Sequence, residues 1–401
     1  MNQIKVSVKI KPVEDDAIEI LAEGVCRVEK VSYVFDSVSP ATMSNQEFFA
    51  KNIEQQLQQL LEGYNVCVLC YGFTGSGKTY TMFGPDRISS TQQESGIAFL
   101  AVENLIGAVT LTSMTLRVVE VYLDKVYDLI SGENTAVRVT GEGLQGATHL
   151  EINTVMQFRR VLAKAVGYRQ SGSTAANSTS SRSHCVAIVT VRCRNPETQQ
   201  ESEGELYLVD LAGCERLDER SIGDTVTLRE SQSINRSVFA INSVVMACSQ
   251  GKSFVPYRNS KITMILRNAF GGNSLTQVIV CCDGSKPTDS TNSLRFGARC
   301  KLINNDALAN IEEEDPRDIM IMELREQIED LQRQLAAIGV PREPTGTPNA
   351  QADDTPRTRE SWNKGRNSEL QDIRGAINSM KCLEEGPPPP PVETVGKEYC
   401  C

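Results

Sequence analysis

Residues Gly72, Phe73, Thr74, Gly75, Ser76, Gly77, Lys78 and Thr79 fit the pattern GxxxxGK[ST]. Glycines at these spacings let successive backbone N–H groups wrap around phosphate oxygens. Lys78 supplies charge toward β- and γ-phosphates, and the Thr79 hydroxyl suits a magnesium ion. Two further segments fit the same chemistry. Asp210-Leu-Ala-Gly213-Cys-Glu215 follows an apolar run, so Asp210 could hold a metal through water and the Gly213 N–H could sense a γ-phosphate. Asn177-Ser-Thr-Ser-Ser181-Arg182-Ser183-His184 is a polar stretch whose Ser181 and Ser183 hydroxyls suit Mg²⁺ and phosphate oxygen. The expected metal set is therefore Thr79, Ser181, Ser183 and Asp210. The chemistry is that of a magnesium-complexed polyphosphate.

Such groups need a rigid frame. Strand-like stretches recur at Ile4–Ile10, Val66–Tyr71, Leu116–Val121, Val186–Arg192, Leu206–Leu211 and Thr276–Cys282. Helical patterns lie between them at Ser44–Leu61, Val155–Val166, Leu228–Ser249 and Ser290–Ile303. Alternation of this kind predicts an α/β fold, a mainly β central sheet with helices on both faces. The strand Val66–Tyr71 sits directly before the glycine-rich loop, the context a phosphate loop requires.

Residues 1–305 read as one globular domain, 306–316 as a linker, 317–339 as a helix or short coiled coil, and 340–401 as a disordered Pro-rich tail. The seam of Ile321, Leu324, Ile328, Leu331, Leu335 and Ile338 has a/d spacing and offers a homo- or heterodimer contact. It covers fewer heptads than a self-sufficient coiled coil needs, so a single docked amphipathic helix is the alternative. The tail is the candidate cargo segment.

Charge is uneven. Residues 306–401 hold 11 Lys+Arg and 20 Asp+Glu, a net of −9, which leaves −1 for residues 1–305 out of the total of −10. No basic excess suggests nonspecific nucleic-acid binding. The thirteen cysteines include Cys67, Cys70, Cys281 and Cys282 inside apolar runs and read as buried thiols. With no second cysteine pair at zinc spacing, a zinc site is not expected. No long apolar run or signal-peptide core appears, so a cytosolic protein is expected, without a membrane partner. The terminal Tyr399-Cys400-Cys401 resembles a doubly prenylated end but is not a CaaX box, and no modification is expected.

Taken together, the sequence resembles a kinesin motor domain from about Ile4 to Asn310. The resemblance rests on Tyr71–Met82, Asn177–His184, Leu206–Glu215, Ile234–Ser237, Val255–Lys261, Phe270–Asn273 and Leu294–Arg299. Myosins and small GTPases share the phosphate loop but not this set. The resemblance implies a P-loop NTPase fold, ATP and Mg²⁺ as ligands, and microtubule-stimulated ATP hydrolysis in a motor associated with the cytoskeleton. It implies that Ser181, Arg182, Gly213 and Glu215 serve catalysis, with Arg182 and Glu215 forming an ion pair that closes the site. Lys9, Lys11, Pro12 and Tyr80 join the phosphate loop in holding the nucleotide. His184 is expected to be structural. Arg236, Tyr257, Arg258, Lys261 and Arg267 are the candidate microtubule contacts. Residues 303–310 resemble a neck linker, with Asn310 at its latch position. A neck that follows the motor implies plus-end direction.

Several residues depart from the family pattern. Lys9 and Lys11 replace arginines and lose planar stacking. Phe73 replaces a glutamine, and Met264 stands where many kinesins have an arginine. The loop 218–227 carries little positive charge, and few residues precede Ile4 to form a cover strand. These departures make a non-motile, nucleotide-gated microtubule-binding adaptor the alternative to a motor.

Overall fold

The computed structural model describes residues 2–14, 17–84, 95–132, 135–141, 143–171, 182–215, 225–311, 324–325 and 327–334, with backbone alone at 170–171 and 225–234. Met1–Glu312 form one compact unit and Glu313–Cys401 a second. Within the second, residues 324–325 and 327–334 are helical, with Ile328 buried and Leu324 and Leu331 partly so. The rest of the expected seam and the whole Pro-rich tail lie outside the described residues.

One large mixed sheet forms the first unit. Its spatial order is Gly143–Gln145, Ala136–Thr140, Lys125–Asp128, Leu111–Tyr122, His184–Arg194, Glu201–Asp210, Val66–Tyr71, Leu275–Asp283, Lys5–Lys11 and Ser37–Ser39, with Leu150–Glu151 added beside Leu111–Tyr122. The last five of the ordered strands run parallel. Parallel strands covered on both faces read as unbroken apolar runs, and every residue of Val66–Tyr71 and Leu275–Asp283 is buried. A separate three-stranded sheet comprises Glu19–Ala22, Val25–Val28 and Val31–Val34.

Helices cover both faces. One core gathers α1 (Asn45–Asn52), α2 (Glu54–Leu61), α3 (Lys78–Phe83), α4 (Ile97–Ile106) and α5 (Val155–Ser171) around Phe48, Leu57, Phe99 and Phe158. The other gathers α6 (Thr225–Ser249), α7 (Lys261–Ile265) and α8 (Pro287–Cys300) around Ile241, Val245, Ile262 and Phe296. Phe296 stacks on Tyr71 at 3.6 Å between centroids. At the start of α1, Ser44 and Glu47 form a reciprocal capping box, with Ser44 N donating to the Glu47 carboxylate at 2.8 Å and Glu47 N donating to Ser44 Oγ at 3.2 Å.

The expected single helix Ser44–Leu61 is two. The break falls at Ile53, which is fully buried and carries no helix-breaking side chain. It turns Phe48 and Leu57 into one core.

Residues after α8 lie along the sheet. Asn304–Asn305 pair antiparallel with Asn2–Gln3, so a short cover strand forms despite the few residues available. The Asn305 side chain donates to Ala269 O at 3.0 Å and Ser274 O at 2.7 Å, and accepts from Gly271 N at 2.7 Å. Asn310 donates from its backbone to Gly63 O at 2.9 Å and from Nδ2 to Glu203 O at 3.0 Å, while its carbonyl accepts from Glu203 N at 3.0 Å.

His184 ties the first strand residue to its surroundings. Its Nδ1 accepts the Ala212 N–H at 3.0 Å, so the neutral ring carries its proton on Nε2 and donates to Ser237 Oγ at 2.8 Å. Burial, then the nearby Arg169 and Lys78, push its pKa from 6.5 down to about 3. The unfolded chain therefore binds a proton that the folded chain refuses between those values. His184 should cost no stability above pH 6.5 and progressively more below it, by up to about 1.4 kcal/mol per pH unit. Urea unfolding between pH 7 and pH 4 is expected to show a shallower decline for His184→Asn than for the parent chain.

Candidate functional site

The site forms where the parallel strands end. In open sheets of this kind, ligand crevices form outside the carboxyl ends of the parallel strands. Here Lys11 ends the first, Tyr71 leads into the phosphate loop, Asp210 ends the next and Asp283 ends Leu275–Asp283. The sheet thus delivers these groups to one edge. Beside the phosphate loop lies a cavity of about 650 Å³ lined by Lys9, Lys11, Pro12, Ala41, Met43 and the whole stretch Thr74–Thr81.

Within the loop, Gly77 has φ 98° and caps α3, a conformation closed to most side chains. Space where a Cβ would stand on Gly75 or Gly77 is open, which leaves a cradle bounded by backbone. Lys78 is buried and donates from Nζ to Phe73 O at 2.9 Å. The Phe73 ring, also buried, has Lys286 Nζ 5.5 Å from its centroid. Ser76 Oγ is buried with no hydrogen-bond partner among the described residues. On the open side, Lys9 Nζ lies 5.5 Å from the Tyr80 ring centroid, and burial lowers its pKa. Lys11 pairs with Asp283 at 3.2 Å.

Asp210 is the most constrained acid. Thr79 Oγ1 donates to its Oδ2 at 2.8 Å, and Arg169 Nη1 donates to the same oxygen at 2.7 Å. Both partners of this ion pair are fully buried. Arg169 also holds Ser183, through Nε to Oγ at 3.0 Å and Nη2 to the carbonyl at 2.6 Å. The other carboxylate oxygen, Asp210 Oδ1, is buried with no hydrogen-bond partner among the described residues. An orphaned carboxylate oxygen beside a threonine hydroxyl fits a hard cation with oxygen ligands.

Arg169 is absent from the sequence-based set. Its position at the end of an amphipathic helix reads as an ordinary solvent-facing cation, and only the strand order reveals that it enters the site.

Gly213 sits against the loop so closely that a Cβ there would fall 2.3 Å from Thr74 Oγ1. Glu215 accepts the Thr74 N–H at 2.8 Å and also receives the Thr74 hydroxyl. The described partner of the Glu215 carboxylate is thus Thr74, where the resemblance implies Arg182. Ser181 lies outside the described residues.

The candidate filament contacts gather on the α6 and α7 face. Arg236, Arg258 and Arg267 are exposed and Lys261 is half-buried. Tyr257 turns its hydroxyl inward to Phe270 O at 2.5 Å, and its ring supports Arg267 at 5.8 Å.

Known proteins share this arrangement. The family model described as Kinesin motor domain matches residues 2–303. Kinesin-like protein 3 of Schizosaccharomyces pombe is 34% identical over 339 residues, covering 78% of this chain and 60% of that protein. The kinesin heavy chain of Gibberella moniliformis is 33% identical, covering 78% of this chain and 36% of its own length. The chain thus spans only part of the relatives it matches. A solved structure titled "Structure of a fast kinesin: Implications for ATPase mechanism and interactions with microtubules" superposes with a TM-score of 0.71 at 30% identity, covering 79% of this chain and 96% of that one. With a mixed sheet flanked by helices, a phosphate loop on its central parallel strand and a family match across three quarters of its length, the chain belongs to the kinesin motor domain family.

Proposed function

We propose that this protein is an ATP-driven, plus-end-directed microtubule motor whose turnover is stimulated by microtubules. The observation that carries the reading is the linker. Residues 304–311 lie docked and latched by Asn310 on the unit that holds the phosphate site. A cytoskeletal location and dimerisation through 317–339 follow from the same reading, with cargo carried by the tail.

In this reading the loop 72–79 binds ATP phosphates, Lys78 neutralises them, and Lys9, Lys11, Pro12 and Tyr80 border the base. Thr79 and Asp210 would hold magnesium, with Ser181 and Ser183 closing over it. Bound magnesium would neutralise charge developing on the transferred phosphoryl group. The protein's contribution is positioning more than strong acid–base chemistry. Arg169 holds Asp210 and Ser183 in register. Gly213 N–H would sense the γ-phosphate, and Glu215 would exchange Thr74 for Arg182 on closure of the site. Arg236, Arg258, Lys261 and Arg267 meet the acidic microtubule surface, with Tyr257 supporting them.

A second reading is a non-motile, nucleotide-gated adaptor. It is favoured by Met264, whose Sδ lies 3.9 Å from Lys261 Nζ where the family commonly places an arginine. A gliding assay separates the two, since an adaptor holds filaments without moving them.

Thr79→Asn and Glu215→Ala are each expected to abolish microtubule-stimulated ATP turnover, and near-normal stimulated rates in both would overturn the site. Arg169→Lys keeps the charge but not the planar fork, and is expected to lower turnover roughly tenfold. Arg169→Ala leaves a buried carboxylate unpaired and is expected to cost about 3–5 kcal/mol in urea unfolding.

A further inference from the structure

Between Ser231 and Cys282 the sequence contains no Asp or Glu, but five cations: Arg236, Lys252, Arg258, Lys261 and Arg267. This +5 stretch sits in a chain of net charge −10. It builds the outer part of α6, the loop that follows, and α7. Of the acids beside it, Asp124 accepts from Ser260 Oγ and the Lys261 N–H, each at 2.8 Å, and Glu205, which lines a cavity with Arg258 and Arg267, is paired with Arg117.

The side chains among these cations are unusual for a surface. Along α6 the outward stripe is Asn235, Arg236, Phe239, Ser243, Met246 and Gln250, at helical spacing, while Ile241, Val244 and Val245 face the core. Phe239 is 73% exposed, Met246 41%, and Phe254, just beyond the helix, 77%. Scattered exposed apolar residues need no explanation, but two phenylalanines and a methionine within sixteen residues, set among cations, have the composition of an interface centre.

We infer that this face binds the microtubule through an apolar centre, Phe239, Met246 and Phe254, framed by the cations, so that hydrophobic contact supplies the salt-resistant part of the grip. The inference rests on the microtubule reading above. It identifies what replaces the charge missing at Met264 and in the loop after Glu215. Cations screened by salt give steering and on-rate, whereas desolvated aromatic anchors hold the complex against dissociation.

The test is co-sedimentation of the full chain with stabilised microtubules and a non-hydrolysable ATP analogue, from about 50 to about 300 mM KCl. A Phe239→Ser/Phe254→Ser double variant is expected to bind about tenfold more weakly at every salt concentration, with an unchanged slope of log Kd on log salt. Arg258→Ala is expected to change that slope instead. Both phenylalanines are exposed, and circular dichroism melting checks that the variants fold. Phe239→Leu is expected to restore part of the loss. A double variant with parental affinity overturns the inference while leaving the microtubule reading intact. So does a loss confined to one end of the salt range, or a change of oligomeric state on substitution, which would identify a second copy as the occupant. A parent chain that fails to co-sediment overturns both.

Discussion

A fully buried carboxylate governs the arrangement of the phosphate-loop site. Asp210 ends a central strand inside the protein, and its charge is tolerable there only because Arg169 and Thr79 converge on one of its oxygens. Breaking such a pair is costly, because the survivor stays buried. The pair therefore fixes more than itself. Through Arg169 it locks the position of Ser183, and through Thr79 it locks the first turn of the helix after the phosphate loop. Residues 79, 169, 183 and 210 are tied together through this one carboxylate and its arginine, while the other carboxylate oxygen has no hydrogen-bond partner among the described residues.

Much of this was legible in the residues. The phosphate loop has rigid spacing demands, and the strand before it announces itself as an unbroken apolar run. The six main strands lie where the pattern put them: Val66–Tyr71 has the expected bounds, Lys5–Lys11 is displaced by one residue, Glu201–Asp210 starts earlier and ends one residue sooner, and the other three run longer at both ends. What escaped was set by tertiary context. Helix α4 is apolar nearly all round, so its periodicity is silent. The hairpin Ala136–Gln145 and the small sheet Glu19–Val34 consist of strands too short for a clear alternation. Arg169 could not be singled out from other helix cations without the strand order. Family likeness implies Arg182 as the partner of Glu215, whereas the described contact is with Thr74, more distant in sequence, a choice of partner that spacing does not encode.

The cysteines follow the same rule of context. All those among the described residues are free thiols, and most are fully buried in the two cores. Burial pushes the Cys67 and Cys185 thiols up to about 12, far from the thiolate form that reacts or binds metal. They behave as small apolar side chains filling the space between sheet and helices.

The strand Glu201–Asp210 has one end in each working part of the molecule. Asp210 lies at the phosphate site, and Glu203, near the other end, bonds the Asn310 latch. Ten residues of extended chain span about 33 Å. Neighbours on both sides clamp it, parallel on one edge and antiparallel along its whole length on the other. Sliding by one residue would exchange the side chains it offers to the two cores, Leu206 and Leu208 to one and Val209 to the other. The strand is consequently a strut rather than a cable, and Asp210 and the Asn310 contact are two ends of one laterally clamped element.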